Sequence, residues 1–439
     1  MAHWCQAAFR HIEPIIVLEQ LGSSLFDTAL QMVVKDRCAN ATYPGRSRED
    51  SQQKAMTDFY MIYNLIIQFT TIVPALLLAK FGDRGWRRAP VVVPLIGYLL
   101  SRLALLLVLT CGLPLQVMYG AAVLFGLSGG FSAYWPGVMT LASLASTAAG
   151  RSTAMMRVEL LYGMAGLVGS LVSGHLFLIY SPSLRHGTIL LIVSTLLHLL
   201  CLIISIILLQ VKEVCREDQE ENYHLLHHAS RNAHVPEAAA GINKVNVALL
   251  FVAAFLYDFA VGGGVEVLGS FVLKSPLSWT ATQVGYGNAA GCIIFLTSYL
   301  GVAVFRRWVS DETLILIGML SFASGIYFMT FATTTAIFYA ARSLNLFALI
   351  PMPTIRSLVS QLVPASSCGM MLTLLQITLK FASLSYIPAF TKIYQDTLDW
   401  LPGFVFLLSS IFTVLAMIPV SIVGCRTAKR QLYMRIQGD

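Results

Sequence analysis

About twelve runs of roughly 20 mostly apolar residues follow one another along this chain, and that repetition leaves few folds open. A helix of this length crosses the hydrocarbon core of a bilayer, with every backbone N–H and C=O bonded inside the chain. The runs fall at 12–34, 58–79, 91–110, 115–143, 152–178 and 187–209, then at 246–272, 283–305, 313–332, 334–361, 368–391 and 401–424. Polar residues interrupt the first run of each set. Composition excludes the alternatives. Only 12% of the 439 residues are charged, 56% are hydrophobic, and mean hydropathy is +0.72. A soluble enzyme, a nucleic-acid-binding module or a disordered chain carries far more charge.

One hydrophilic stretch, Lys212 to Lys244, divides the runs into six and six. The expected fold is therefore an all-α polytopic membrane protein with the major facilitator architecture. Its parts are an N-terminal six-helix half (1–209), a cytoplasmic linker (210–245), a C-terminal six-helix half (246–424) and a cytoplasmic tail (425–439). The net charge of +7 reads as basic residues gathered in cytoplasmic loops, not as a nucleic-acid site. With both termini inside, most loop Lys and Arg fall on the cytoplasmic side. The first outer loop (35–57) departs from this, but Asp36, Glu49 and Asp50 offset its bases. That loop also holds Asn40-Ala41-Thr42, a glycosylation sequon usable only outside the cytoplasm. The N-terminus leads through His11 and Glu13 into an apolar run that reads as permanent, with no cleavable leader. The eight cysteines are scattered singly, so neither a disulfide framework nor a metal cluster is expected.

Charges left inside the runs carry the functional signal, because each costs roughly 2.5–3.5 kcal/mol at mid-membrane and needs a partner, water or a task. Glu19, Ser23, Asp27 and Gln31 step by four along the first run and form one polar stripe. Glu159 shares a helix face with Gly163, Gly166, Ser170 and Ser173, a pattern of close packing or of an open cavity. It either carries a coupling proton or sits in a structural ion pair, with Arg157 or with an arginine of another helix. Asp258 and Glu266 flank Gly262-Gly263-Gly264, a run expected to weaken the seventh helix into a hinge or unwound segment. Either acid can couple a proton or sit at a water-filled mouth. Arg342 and Arg356 are fourteen residues apart and share a face of the tenth helix, with Asn345 and Pro353 near it. Arg342 can snorkel to the interface, and Arg356 can clamp an anionic solute or pair with a carboxylate. The linker histidines His224, His227, His228 and His234 read as a solvated loop, and His175 and His198 as helix residues with local partners.

Enzyme motifs are accidental. Gly126-Leu127-Ser128-Gly129-Gly130 fits G-x-S-x-G but sits in a spanning run, where it reads as small-residue packing. Gly85 and Trp86 fall inside a more telling stretch, Gly82-Asp83-Arg84-Gly85-Trp86-Arg87-Arg88. It resembles the major facilitator signature Asp-Arg-x-Gly-Arg-Arg between helices two and three, with the glycine one position early. Asp83 can accept bonds from a helix N-terminus or an arginine and latch a cytoplasmic gate, with Arg87 and Arg88 answering in charge. The second half holds only a degenerate counterpart, Arg306-Arg307-Trp308-Val309-Ser310-Asp311.

An ordered set of stretches resembles the proton-coupled folate transporter family, and within it the thymic stromal branch. They are FYMIYNL (59–65), YGAA (119–122), GGFSAYW (129–135), SGHLF (173–177), LLFVAAFLYD (249–258), VGYGNAAG (284–291), LIGMLSFASG (316–325) and LFALIPMPTIRS (346–357). The resemblance implies proton-coupled import of organic solutes by alternating access. It places the family's fifth-helix coupling glutamate at Glu159, its tenth-helix arginine at Arg356, and its gate-loop acid and arginine at Asp83 and Arg87. It also marks departures. The seventh-helix histidine is replaced within Gly262–Gly264, the fourth-helix aspartate falls at Gly130, and an outer-loop disulfide keeps one half in Cys38 and loses the other near Ser278. These count against folate itself. The wider cargo of the family, muropeptides and cyclic dinucleotides, suits a cavity holding Arg356.

The expected protein is thus a proton-driven carrier of a small anionic organic solute, with no cofactor beyond the coupling proton. Folate symport and a non-transporting receptor or scaffold are the alternatives. Proton coupling falls to Glu159, Asp27, Asp258 and Glu266, solute binding to Arg356, Arg342 and Asn345, and gating to Asp83, Arg87 and Arg88. The expected partners are the solute and membrane lipid, with a second copy of the chain left open. The expected place is the plasma membrane, with the endolysosomal membrane as the other option.

Overall fold

The computed structural model describes residues 2–40, 48–147, 150–180, 188–209, 238–273, 277, 279, 281–397 and 400–438. The linker histidines, Ser278 and the sequon residues Ala41 and Thr42 lie outside them. The helices are α1 (Ala2–Arg37), α2 (Arg48–Thr70), α3 (Ile72–Asp83), α4 (Ala89–Thr110), α5 (Val117–Leu127), α6 (Gly130–Leu144), α7 (Arg151–Tyr180) and α8 (Thr188–Leu208). They continue with α9 (Ala238–Leu273), α10 (Ala281–Phe305), α11 (Asp311–Met329), α12 (Thr335–Leu344), α13 (Pro351–Leu362), α14 (Cys368–Thr397) and α15 (Phe404–Gly438). Among the described residues nine helical spans are long and apolar enough to cross a membrane, and Ile293–Phe305 is a shorter apolar helix. The polar first run is helical within α1 but is not one of the nine.

Three runs expected as single helices are interrupted. The second bends at Thr71, next to Pro74 in the first turn of α3. The fourth breaks at Ser128–Gly129, where Gly129 and Gly130 take φ of 90° and 48°, angles that other residues rarely adopt. The G-x-S-x-G match thus lies at a helix break, still among small residues. The tenth is cut between Asn345 and Ile350 into α12 and α13, because Pro351 at the start of α13 has no N–H to continue the ladder. The shared helix face expected for Arg342 and Arg356 does not survive that interruption. The reverse holds in α9, where no hinge or unwound segment forms at Gly262–Gly264. The helix is continuous there because the rings of Tyr386 and Phe390 fill the space that side chains at Gly262 and Gly263 would need. The first outer loop is also shorter than expected, since α1 runs on to Arg37 and α2 starts at Arg48.

The chain forms two compact units. One gathers Met1–Ala145, Leu161–Lys212 and Ser366–Thr373; the other gathers Ser146–Leu160, Glu213–Ala365 and Leu374–Asp439. In the first, α1 packs on α8, and α4 packs on α5, α6 and α8. Its apolar core runs through Leu25, Phe26, Val33, Phe59, Leu105, Met118 and Leu190. The small-residue face of α7 serves close packing on α1. Gly166 lies against Gln20, Gly169 against Ser24, and the Ser173 and Thr28 hydroxyls meet at 2.8 Å. In the second unit, α15 packs on α9 and α11, and α11 packs on α12 and α13.

Candidate functional site

Within the second unit, the start of α7 meets α13. Arg356 Nη1 donates to Glu159 Oε1, forming an ion pair whose side chains are only 10% and 16% exposed, respectively. The arginine of another helix anticipated for Glu159 is therefore Arg356. Hydroxyls hold the two helices in register beside the pair. Ser152 Oγ donates to Ser357 Oγ at 3.0 Å and Arg151 Nη1 to Ser360 Oγ at 3.3 Å; within α13, Gln361 Nε2 donates to Ser357 Oγ at 3.1 Å. Met156, Val302, Leu314 and Ile350 form a buried apolar cluster in the same unit. Asp258 on α9 lies in the field of the Arg356 guanidinium. One cation thus serves two acids. Stripping charges of water is costly, and only close pairing offsets it. A proton on Glu159 cancels its half of the pair and leaves Arg356 able to hold another anion.

The other candidates are spread out. Arg342, half-buried near the end of α12, places its guanidinium beside Gly291 of α10. Asn345 is fully buried at the end of α12 and donates its amide to the carbonyls of Ser321 (3.2 Å) and Phe322 (3.3 Å), so it braces the helix break. Glu266 is exposed, and Tyr386 of α14 feels both it and Asp258. Asp27 is exposed on α1. Asn40 is exposed in the turn after α1, where Arg48 Nη2 donates to its Oδ1 at 3.4 Å.

The gate-loop residues assemble in the first unit. Asp83 ends α3, and its carboxylate accepts the backbone N–H of Gly369 (2.9 Å) and of Met370 (2.8 Å) in the first turn of α14. A carboxylate there meets both unbonded N–H groups and the positive end of the helix dipole. Arg87 adds its field and lines the same small cleft with Gly82, Asp83, Pro90 and Gly369. Gly85 has φ of 114°, so the turn itself demands glycine at that position, one early against the signature. Arg88 opens α4. The degenerate counterpart works differently. Ser310 caps α11 by accepting from Thr313 N, and Asp311 pairs with Arg306 at 3.6 Å.

Sequence reasoning passed over Arg102. This arginine of α4 is 3% exposed, donates to Ser23 Oγ (2.9 Å) and to the Tyr98 carbonyl (3.2 Å), and lies over the rings of Phe26 and Tyr98. The signal that could have found it is a charge in the middle of an apolar run, the same signal that marked Glu159.

Comparison with known proteins decides what this framework is. The Major Facilitator Superfamily pattern matches residues 59–383. Solute carrier family 46 member 2 of Canis lupus familiaris is 39% identical over 454 residues, covering 96% of this chain and 94% of its own. The chain belongs to solute carrier family 46 of the major facilitator superfamily. A family 46 relative from Gallus gallus, a lysosomal proton-coupled steroid conjugate and bile acid symporter, is 26% identical over 442 residues and covers 94% of this chain and 92% of its own. Among solved structures, the E. coli fucose:proton symporter superposes with a TM-score of 0.69 at 10% identity, over 94% of this chain and 98% of its own. That likeness shows the fold. As a member of family 46, the chain is a multi-pass membrane transporter and not an enzyme, and the resemblance seen in its sequence stretches holds over nearly its whole length.

Proposed function

We propose that this family 46 transporter imports a small anionic organic solute, muropeptide-like or related, such as a cyclic dinucleotide, driven by protons and by alternating access. The Glu159–Arg356 pair carries the reading. With Glu159 ionised, Arg356 is occupied. A proton arriving on Glu159 removes that carboxylate's hold on the guanidinium, and an anionic solute takes its place, so the net charge of the site is unchanged through closure. Proton and solute together leave that net charge as it was, whereas either alone changes it, and this links their movements. Asp258, sharing the field of Arg356, is the second acid of the site, with Glu266 and Asp27 as further proton-carrying candidates. Arg342 and Asn345 extend the solute side. Steroid conjugates and bile acids, named for the Gallus gallus relative, are anionic solutes of the same charge class. Folate and antifolates remain the alternative cargo.

Asp83, with Arg87 and Arg88, forms the cytoplasmic gate in this reading. Release of the Gly369 and Met370 N–H groups opens it. The termini face the cytoplasm, and Asn40, exposed at the end of α1, carries a glycan on the opposite side. The plasma membrane is the proposed location, and the lysosomal placement of the relative makes the endolysosomal membrane the comparison to run. The test is uptake of a radiolabelled panel (a muramyl peptide, a cyclic dinucleotide, folate and a steroid sulfate) at acidic and neutral pH. Wild type should take up one class faster at acidic pH. Glu159→Gln should reach the membrane and lose the pH dependence. Acid stimulation that survives in Glu159→Gln removes Glu159 from the role, and no uptake of any solute favours a receptor.

A further inference from the structure

The first unit contains a buried polar cluster that the Glu159–Arg356 site does not use. Glu19, Ser23 and Asp27 come from α1, Tyr98 and Arg102 from α4, Tyr134 from α6 and His198 from α8. Glu19 is 1% exposed, Arg102 3% and His198 0%. Ser23 Oγ bridges the acid and the base, donating to Glu19 Oε1 at 2.8 Å and accepting from Arg102 Nη2 at 2.9 Å. Glu19 therefore meets Arg102 only through a hydroxyl.

Two features decide the protonation state. The first is charge count. Arg102 is in the field of both Glu19 and Asp27, so one guanidinium serves two carboxyls. Every other titratable group facing them is neutral. His198 donates from Nδ1 to the Ser194 carbonyl at 2.9 Å, which leaves Nε2 as a bare lone pair. Tyr98, Tyr134 and Cys201 lie around Glu19, Tyr60 and Tyr63 face Asp27, Tyr63 also faces Arg102, and Tyr162 faces Tyr98 and Tyr134. The second feature is an orphaned atom. Glu19 Oε2 is buried with no hydrogen-bond partner among the described residues, and the Tyr98 hydroxyl lies close by. That hydroxyl is a single donor, too little to offset a buried charge, whereas a neutral carboxyl can give its O–H to the same hydroxyl oxygen. Asp27 is the more exposed of the two acids and is the one left to answer the Arg102 charge.

We propose that Glu19 is a further proton-carrying residue, neutral in this arrangement, with Asp27 as the acid that answers the Arg102 charge. The step makes and breaks one O–H bond. The proton leaves Glu19 Oε2 for water, and the carboxylate then competes with Asp27 for Arg102 through Ser23. Its part in transport rests on the proton-coupled reading above; the protonation itself does not.

The test needs no solute. Purified full-length protein in phosphatidylcholine vesicles is titrated by infrared spectroscopy, following the C=O stretch of neutral carboxyls and its shift in D2O. Wild type should show a neutral-carboxyl band at neutral pH that Glu19→Gln removes and Glu159→Gln leaves. Asp27→Asn gives Arg102 wholly to Glu19, so the Glu19 band should fade at a pH lower by roughly one unit or more. A band unchanged in Glu19→Gln, or a titration of that band unmoved in Asp27→Asn, overturns the proposal. Failure of the transport reading shows elsewhere, as wild-type uptake indifferent to an imposed proton gradient, and leaves the infrared result standing.

Discussion

Two acid–arginine sites, one in each unit, are built from the same residue types and differ in a single hydroxyl. Glu159 touches Arg356 directly, whereas Glu19 reaches Arg102 through Ser23. A direct pair is bistable. Both members are charged and matched, or one is neutralised and the other is free for a new partner. A serine bridge softens that choice, because its hydroxyl can donate to a carboxylate or to a neutral carboxyl alike. The environments differ in the same sense. The Glu159–Arg356 pair lies beside a hydroxyl bond that joins α7 to α13, while Arg102 is held between the faces of Phe26 and Tyr98. The first site is suited to exchange one anion for another. The second is suited to keep its arginine in place while a proton comes and goes.

The largest expected effect comes from removing the direct partner. Arg356→Ala leaves Glu159 buried and unpaired, at a cost of about 3–5 kcal/mol while the acid stays ionised. Protonation relieves that cost. The folded variant binds a proton on Glu159 more readily than the unfolded chain, so its stability rises as pH falls. Thermal unfolding of the detergent-solubilised variant from neutral to acidic pH checks this. A deficit that does not shrink on acidification means the pair is not the exchange point. Uptake should fall steeply at every pH, since the anion-holding group is gone.

The serine-bridged site should tolerate more. Arg102→Met keeps the bulk between Phe26 and Tyr98 but removes the charge. It gives up the cation–π contacts and the bonds to Ser23 and to the Tyr98 carbonyl, together about 2–3 kcal/mol. Because Glu19 is neutral in the proposed state, no charge is stranded on it, and Asp27 is the more exposed acid of the two. A loss as large as that of Arg356→Ala would show that both sites are direct pairs in effect. Thermal unfolding of the two variants side by side decides it.

These differences set what could be read from the chain. Hydropathy alone gave the membrane-spanning helices, because the bilayer admits so few solutions for apolar runs. The same logic marked Glu159, Arg356 and Asp83, charges or motif positions that stand out against apolar surroundings. What joins them was not legible. Arg356 lies 197 residues from Glu159, and Gly369 lies 286 residues from Asp83, so the pairings exist only through tertiary packing. Arg102 stands in an apolar run as plainly as Glu159 does, but no motif or family stretch singles it out. The interruptions were legible in part. Pro351 announces the start of α13 and the break before it, whereas the continuity of α9 through three glycines depends on the rings of Tyr386 and Phe390, which local propensity does not contain.

The smallest and most discriminating change is Ser23→Ala. It deletes the bridge and leaves every charge in place. A neutral Glu19 loses one hydrogen bond at Oε1, and Arg102 loses one at Nη2, a cost of about 1 kcal/mol net. If Glu19 were ionised, the same deletion would remove a charge-assisted bond from a buried carboxylate and cost roughly twice as much. The two cases separate by pH. With Glu19 neutral, the stability difference from wild type should stay flat from acidic to neutral pH. With Glu19 ionised, it should grow as pH rises. Thermal unfolding of Ser23→Ala and wild type across that range therefore reports whether the bridge carries a proton-bearing acid, or merely lengthens an ion pair of the kind seen between Glu159 and Arg356.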